Sequence, residues 1–195
     1  TLRRQRQMCI RDRCGGGGNS SFNEPLLPPD PQPTTPPTPE IPLSERKYIT
    51  QTIEGQQVER TYLIRYPEEI SKSSYPVVFF FHGAGGNGQG WFNNHPEVEN
   101  LIDQEQFIGI FPDGYENRWN VGTETNADDV EFITLIVNDF GANELFNTEK
   151  LYGVGTSNGA GLANKIGKET SLFRGIAPLI SQQTVDIGAT VPTLS

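Results

Sequence analysis

The sequence is short of the residues that much enzyme chemistry draws on. It has two cysteines, Cys9 and Cys14, both near the N-terminus. A folded body that starts after them has no disulfide and no cysteine-based metal site. Only two histidines occur, His82 and His95. Long apolar runs are absent: no stretch approaches the roughly 20 residues needed to span a bilayer. Positive charge is scarce beyond the start of the chain. The formal net charge is -9 over 195 residues, yet the first thirteen residues hold five Arg against one Asp. That surplus of four positive charges leaves -13 for the remainder. An acidic body without Lys/Arg clusters argues against nucleic acid and anionic membrane as partners.

Three zones follow one another along the chain. Residues 1–13 have neither hydrophobic periodicity nor the apolar core of a signal peptide. The run Gln7–Arg13 reads as translated adapter sequence, so 1–13 is a non-native or disordered tail. Residues 14–45 form a linker, Gly-rich and then Pro/Thr-rich. Cys14 followed by Gly15–Gly18 and Asn19-Ser20-Ser21 resembles the mature start of a bacterial lipoprotein, where the thiol carries the lipid. Arg11-Asp12-Arg13 is not the small apolar stretch that lipoprotein processing reads, and a lone cysteine in a linker stands as the alternative. The Pro-dense segment Pro25–Pro42 favours polyproline II geometry and reads as a semi-rigid spacer. Residues 46–195 form the folded domain. The whole suits an extracytoplasmic protein, secreted or held at the outer surface.

Within that domain the pattern alternates between strand and helix. Tyr48–Ile53 and Gln57–Tyr66, separated by Glu54-Gly55, read as a hairpin. Pro76–Phe81 and Phe107–Phe111 are continuous apolar runs, as in strands buried on both faces. Val130, Phe132, Ile133, Ile136, Val137 and Phe140 recur at helical spacing, which predicts a helix over Asp128–Phe140. Leu151–Val154 reads as a strand, Gly159–Lys168 as the next helix and Gly175–Leu179 as a further strand. Such alternation predicts an α/β fold with a mainly parallel sheet.

The chemistry centres on Gly155-Thr156-Ser157-Asn158-Gly159. It fits Gly-x-Ser-x-Gly and lies between a predicted strand and a predicted helix, the context of a nucleophile elbow. The tight turn requires small neighbours two residues either side of Ser157, hence Gly155 and Gly159. It also places the Ser oxygen near the positive end of the helix dipole. A second signal is His82-Gly83-Ala84-Gly85-Gly86, directly after the buried run Val77–Phe81. A His-Gly turn there fits an oxyanion loop, with the Ala84 N–H and the Asn158 N–H as the two donors. His82 is expected to brace that loop rather than react. Trp119, beyond the turn Pro112-Asp113-Gly114, is a candidate wall of the substrate pocket, or equally an aromatic covering the core edge. Asp128 and Asp129 read as helix-start residues, and His95 as an exposed loop residue.

From about Tyr62 to Leu194 the chain resembles the polyhydroxybutyrate depolymerase and feruloyl esterase group of α/β hydrolases. The matching pieces are Val77–Gly83, Ile110–Gly114, Trp119-Asn120, Asp128–Phe132 and Tyr152–Gly159. The resemblance implies an α/β-hydrolase fold and hydrolysis of aryl, acetyl or polyester carboxylic esters through an acyl-enzyme, with no metal and no organic cofactor. Two departures stand out. Secreted members of the group often carry Cys near the oxyanion loop and the Trp segment, and here there is none. Ala160 stands where a third Gly is common.

In this fold the triad runs Ser, then Asp or Glu, then His. No His follows Ser157, and Asp186, the only later Asp, falls too early for the acid. Val191–Ser195 reads as the opening of the strand that would lead to it. The sequence is therefore expected to be the front part of such an enzyme, with little turnover by itself. Two other functions share these motifs: a serine peptidase of the prolyl-oligopeptidase type, and a non-catalytic surface-anchored binding protein on a hydrolase scaffold.

Overall fold

The computed structural model describes residues 42–141 and 143–179. The tail, Cys14, the linker up to residue 41, Asp186 and Val191–Ser195 lie outside the described residues. The hairpin forms from β1 (Ser44–Ile53) and β2 (Gln56–Arg65), paired antiparallel from Ser44↔Arg65 to Ile53↔Gln56. Its two-residue turn puts Glu54 at φ 48° and Gly55 at φ 76°. Those positive angles give a turn whose twist suits a tight hairpin, which is why Glu-Gly works there. Strand β1 begins at Ser44, and the Leu43 carbonyl before it accepts from the Tyr66 N–H at 2.9 Å.

Four strands continue the sheet: β3 (Tyr75–Phe81), β4 (Ile108–Pro112), β5 (Phe146–Thr156) and β6 (Gly175–Leu179). The order is β1-β2-β4-β3-β5-β6. β2 meets β4 antiparallel, while β4, β3, β5 and β6 run parallel. Strand β5 is longer than the expected Leu151–Val154, because the polar stretch Asn147–Lys150 also takes extended geometry. Among the described residues β6 pairs with β5 alone.

Alternation along β3 feeds two cores. Phe79 and Phe81 turn to one face, with Phe132, Ile133 and Ile136 of α3 (Asp129–Asp139) and Leu162, Ala163 and Ile166 of the helix over Asn158–Glu169. Phe80 turns to the other, with Trp91, Val98, Ile102 and Phe111. That second core rests on two helices absent from the sequence reading, α1 (Gly88–Asn93) and α2 (Pro96–Asp103). Asn87 caps α1 by accepting from the Gly90 N–H at 2.7 Å. Pro96 opens α2, with Glu97 and Glu99 in its first turn. His95, expected in an exposed loop, instead stacks on Trp91 with ring centroids 3.8 Å apart and bonds the Trp91 carbonyl through Nδ1 at 2.6 Å. The helix after the elbow is α4.

Asp128 caps α3 as expected, accepting from the Glu131 N–H at 2.9 Å. Asp129 does more than meet a helix dipole. It is fully buried and pairs with Arg60 of β2 at 2.7 Å. Arg60 also donates to Gln51 Oε1 at 2.7 Å and to the Asp113 carbonyl, and its guanidinium lies 4.0 Å over the Phe132 ring. A buried pair of this kind is strongly sensitive to loss of one partner, because the survivor is an uncompensated charge. Asp129→Ala should cost about 3–5 kcal/mol. Replacing both partners by apolar residues, Arg60→Met with Asp129→Leu, should recover much of that. Urea unfolding of the three proteins checks this, and a single-variant loss under about 1 kcal/mol would contradict it.

Candidate active site

Ser157 stands between β5 and α4 with φ 54° and ψ -116°. A non-glycine residue held there is strained, and the surroundings must hold it. They do so by close packing. A Cβ on Gly155 would lie 2.2 Å from the Gly159 carbonyl oxygen, and one on Gly159 would lie 2.3 Å from the Phe81 carbonyl oxygen. No side chain fits at either position, so both glycines are sterically required. The Ser157 N–H donates to the Leu179 carbonyl at 3.0 Å, which ties the elbow to β6. The Ser157 side chain is exposed.

The His-Gly loop lies against this serine. A Cβ built on Gly83 would meet Ser157 Cβ at 3.6 Å. The Gly85 N–H donates to the Asn117 carbonyl at 2.8 Å and the Gly86 N–H to the Gly83 carbonyl at 3.0 Å. These bonds fix the loop on both sides of Ala84. Neither the Ala84 N–H nor the Asn158 N–H donates a hydrogen bond within the described residues. Two backbone donors, one from the loop and one from the first residue of α4, are thus without a partner among the described residues. That is the donor set that acyl transfer needs where negative charge develops.

His82 is engaged at both ring nitrogens. Its Nε2 accepts from the Gly114 N–H at 2.9 Å, and its Nδ1 contacts the Gly83 carbonyl at 2.8 Å. The first contact requires a bare Nε2 and the second a protonated Nδ1, so the ring is neutral in that tautomer. Burial pushes its pKa below the ordinary value. Both ring nitrogens are engaged, and His95 packs on Trp91, so neither histidine serves as a base for Ser157.

Trp119, a candidate pocket wall or core-edge aromatic, packs at the core edge. It is fully buried, with its ring 4.8 Å from that of His82 and edge-on to Phe81 at 5.7 Å. Its indole donates to the His82 carbonyl at 2.8 Å. The 3₁₀ turn Tyr115–Asn117 leads into this residue, and packing against the end of β3 draws the large ring inward. Sequence reading missed two further participants. Trp91 donates to the Thr156 hydroxyl at 3.4 Å from the opposite face of the sheet. Asp113 accepts from the Gly88 N–H at 2.7 Å and from the Thr61 hydroxyl, holding the turn after β4. Asp113 lies within Pro-Asp-Gly at a strand end, a readable turn signal whose partners are distant in sequence.

The loop should loosen in acid. His82 prefers to be neutral when folded, so its contribution is complete above the unfolded value near 6.5 and is lost as pH falls below it. The thermal midpoint should therefore drop between about pH 6.5 and 5, and His82→Gln should flatten that part of the profile. An identical slope in the variant would contradict this. Gly159→Ala should prevent the elbow from closing on β3, and differential scanning calorimetry should show a midpoint several degrees lower, as a loss of about 1–3 kcal/mol implies.

No family model matches the chain. It is similar to an acetylxylan esterase of Coprinopsis cinerea, 28% identical over 139 residues, which covers 67% of this chain and 37% of that protein. The chain thus spans little more than a third of that relative's length. Among solved structures it is similar to an acetyl xylan esterase from Aspergillus awamori, with TM-score 0.54, 19% identity and coverage of 68% of this chain and 50% of that one. A fluorophosphonate-binding serine hydrolase of Staphylococcus aureus gives TM-score 0.55 and 11% identity, covering 71% of this chain and 57% of that one. Together with the strand order and the elbow, these likenesses show that the chain has an α/β-hydrolase fold.

Proposed function

We propose that the protein is a serine carboxylic-ester hydrolase. The observation that carries this is a strained, exposed Ser157 at the start of α4 with the His-Gly loop packed against it at Gly83. Ser157 Oγ attacks the ester carbonyl carbon. Its proton passes to a general base that neither His82 nor His95 supplies. The developing oxyanion takes hydrogen bonds from Ala84 N–H and Asn158 N–H. The carbon–alkoxy bond then breaks, the alcohol leaves with that proton, and an acyl group remains on Oγ. Water reverses the sequence and releases the acid.

Aryl, acetyl and polyester esters are the proposed substrates, with the likeness to an acetylxylan esterase favouring acetyl esters of polysaccharide. Membership of the polyhydroxybutyrate depolymerase or feruloyl esterase group is part of the same proposal. No metal or cofactor enters the reaction. The acidic body and the Pro/Thr-rich stretch support an extracytoplasmic location, with Cys14 as the tether to a membrane if it is acylated. The 195-residue chain by itself should turn over little ester, because a serine without its base is a weak nucleophile.

The polypeptide encoded by the complete gene should take a fluorophosphonate at Ser157, with the adduct located by mass spectrometry. Ser157→Ala should lower kcat on a 4-nitrophenyl ester by about 10⁴-fold or more with the fold intact. Esters should be cleaved and prolyl peptides left whole. An unlabelled Ser157, or activity that survives Ser157→Ala, would overturn the proposal.

A further inference from the structure

The residue after the nucleophile uses its side chain as well as its backbone. Asn158 Oδ1 accepts from the Trp119 N–H at 2.7 Å, and Asn158 Nδ2 donates to the Trp119 carbonyl at 3.0 Å. One carboxamide therefore pairs with both backbone groups of a single residue. The arrangement fixes the amide's orientation, since a reversed amide would set donor against donor and acceptor against acceptor. Asn158 is also the first residue of α4, directly after Ser157. Holding its side chain holds its backbone N–H.

Trp119 reaches the other donor segment as well. Its indole Nε1 donates to the His82 carbonyl at 2.8 Å, two residues before Ala84. Its ring packs on His82 and Phe81, the residues at which β3 ends and the loop begins. The next residue is anchored in turn: the Asn120 N–H donates to Asp129 Oδ2 at 2.6 Å, and Lys165 Nζ donates to the Asn120 carbonyl at 2.9 Å. Asp129 is the buried partner of Arg60. Trp119 thus sits on a rigid base and holds α4 with its backbone and the oxyanion loop with its indole.

We infer that the Asn158 carboxamide and Trp119 form a positioning clamp that sets the separation between the Ala84 and Asn158 N–H groups. This rests on the ester-hydrolase proposal, in which those groups bind the oxyanion. Neither the Asn158 side chain nor Trp119 touches the reacting atoms. Both act through the backbone donors, so their removal should weaken binding of the tetrahedral state and leave ground-state binding nearly unchanged.

The test uses the polypeptide encoded by the complete gene, with Asn158→Ala, Trp119→Phe and the double variant. Steady-state kinetics on 4-nitrophenyl acetate are compared with inhibition by a trifluoromethyl ketone, which forms a tetrahedral adduct on serine. Removing one oxyanion donor outright costs about 10²–10³ in kcat, so loosening one should cost roughly 10- to 100-fold. Asn158→Ala should lower kcat by that factor, raise the inhibition constant in parallel and change KM by less than about twofold. Trp119→Phe should act in the same direction. The double variant should be much less impaired than the product of the two single losses, because both cut one linkage. Asn158 is half-buried at the open end of α4, so its truncation decides the matter should Trp119→Phe fail to fold. An unchanged kcat in Asn158→Ala, a loss of kcat without a matching loss of inhibitor affinity, or fully multiplicative single losses would overturn the clamp. A wild-type protein that neither labels at Ser157 nor cleaves esters would overturn the hydrolase proposal and the clamp with it. An active wild type whose Asn158→Ala variant is equally active would overturn the clamp alone.

Discussion

Everything at the candidate site depends on how closely α4 approaches the ends of β3 and β5. Gly155 and Gly159 set that distance, since a methyl group at either would overlap a carbonyl oxygen. With the helix that close, the link between strand and helix has room only for a sharp turn. Ser157 must then adopt a positive φ. The strain at Ser157 is local, of order 1–3 kcal/mol, and the packing around it over-determines the conformation. The same approach packs the start of α4 against the end of β3 and the first residue of its loop, His82. The strained turn at Ser157 and its nearness to the loop are thus two results of one steric constraint.

Polar contacts keep the loop in place where apolar packing runs out. His82 holds Gly114 and Gly83 through its two ring nitrogens. Trp119 holds His82 and, through Asn158, the start of α4. Asn120 carries this on to Asp129 and Arg60 in the core face below. Single hydrogen bonds of this kind contribute about 0.5–1.5 kcal/mol net, too little to drive folding. Their larger effect is geometric, because each fixes a backbone group whose position decides where a donor points. The buried Arg60–Asp129 pair differs in kind: it is costly to break and anchors the series at its far end.

The sequence made the elements with strong period or strong apolarity legible. Strands β3 and β4 are plain in Val77–Phe81 and Phe107–Phe111, and α3 in its helical spacing. The elbow was legible because the chemistry demands glycine at fixed offsets. Helices α1 and α2 were not. Gly88 and Gly90 disguise the first, and the second shows only Val98 and Ile102 as a buried stripe in eight residues. Trp119 and Asp129 show the limit more sharply. Both were placed correctly along the chain, yet their partners lie 37 and 69 residues away, at His82 and Arg60. Arg60, just before the apolar run Tyr62–Ile64 of β2, was the available sign that a buried carboxylate had to meet it.

The central claim is that the Ala84 and Asn158 N–H groups bind the oxyanion formed at Ser157. A crystal structure of the polypeptide from the complete gene, phosphonylated by a fluorophosphonate, tests it most directly. The account predicts a phosphorus–Oγ bond at Ser157, with the phosphonyl oxygen about 2.7–3.1 Å from both nitrogens. A phosphonyl oxygen turned to solvent, or held by a different pair of donors, would contradict it.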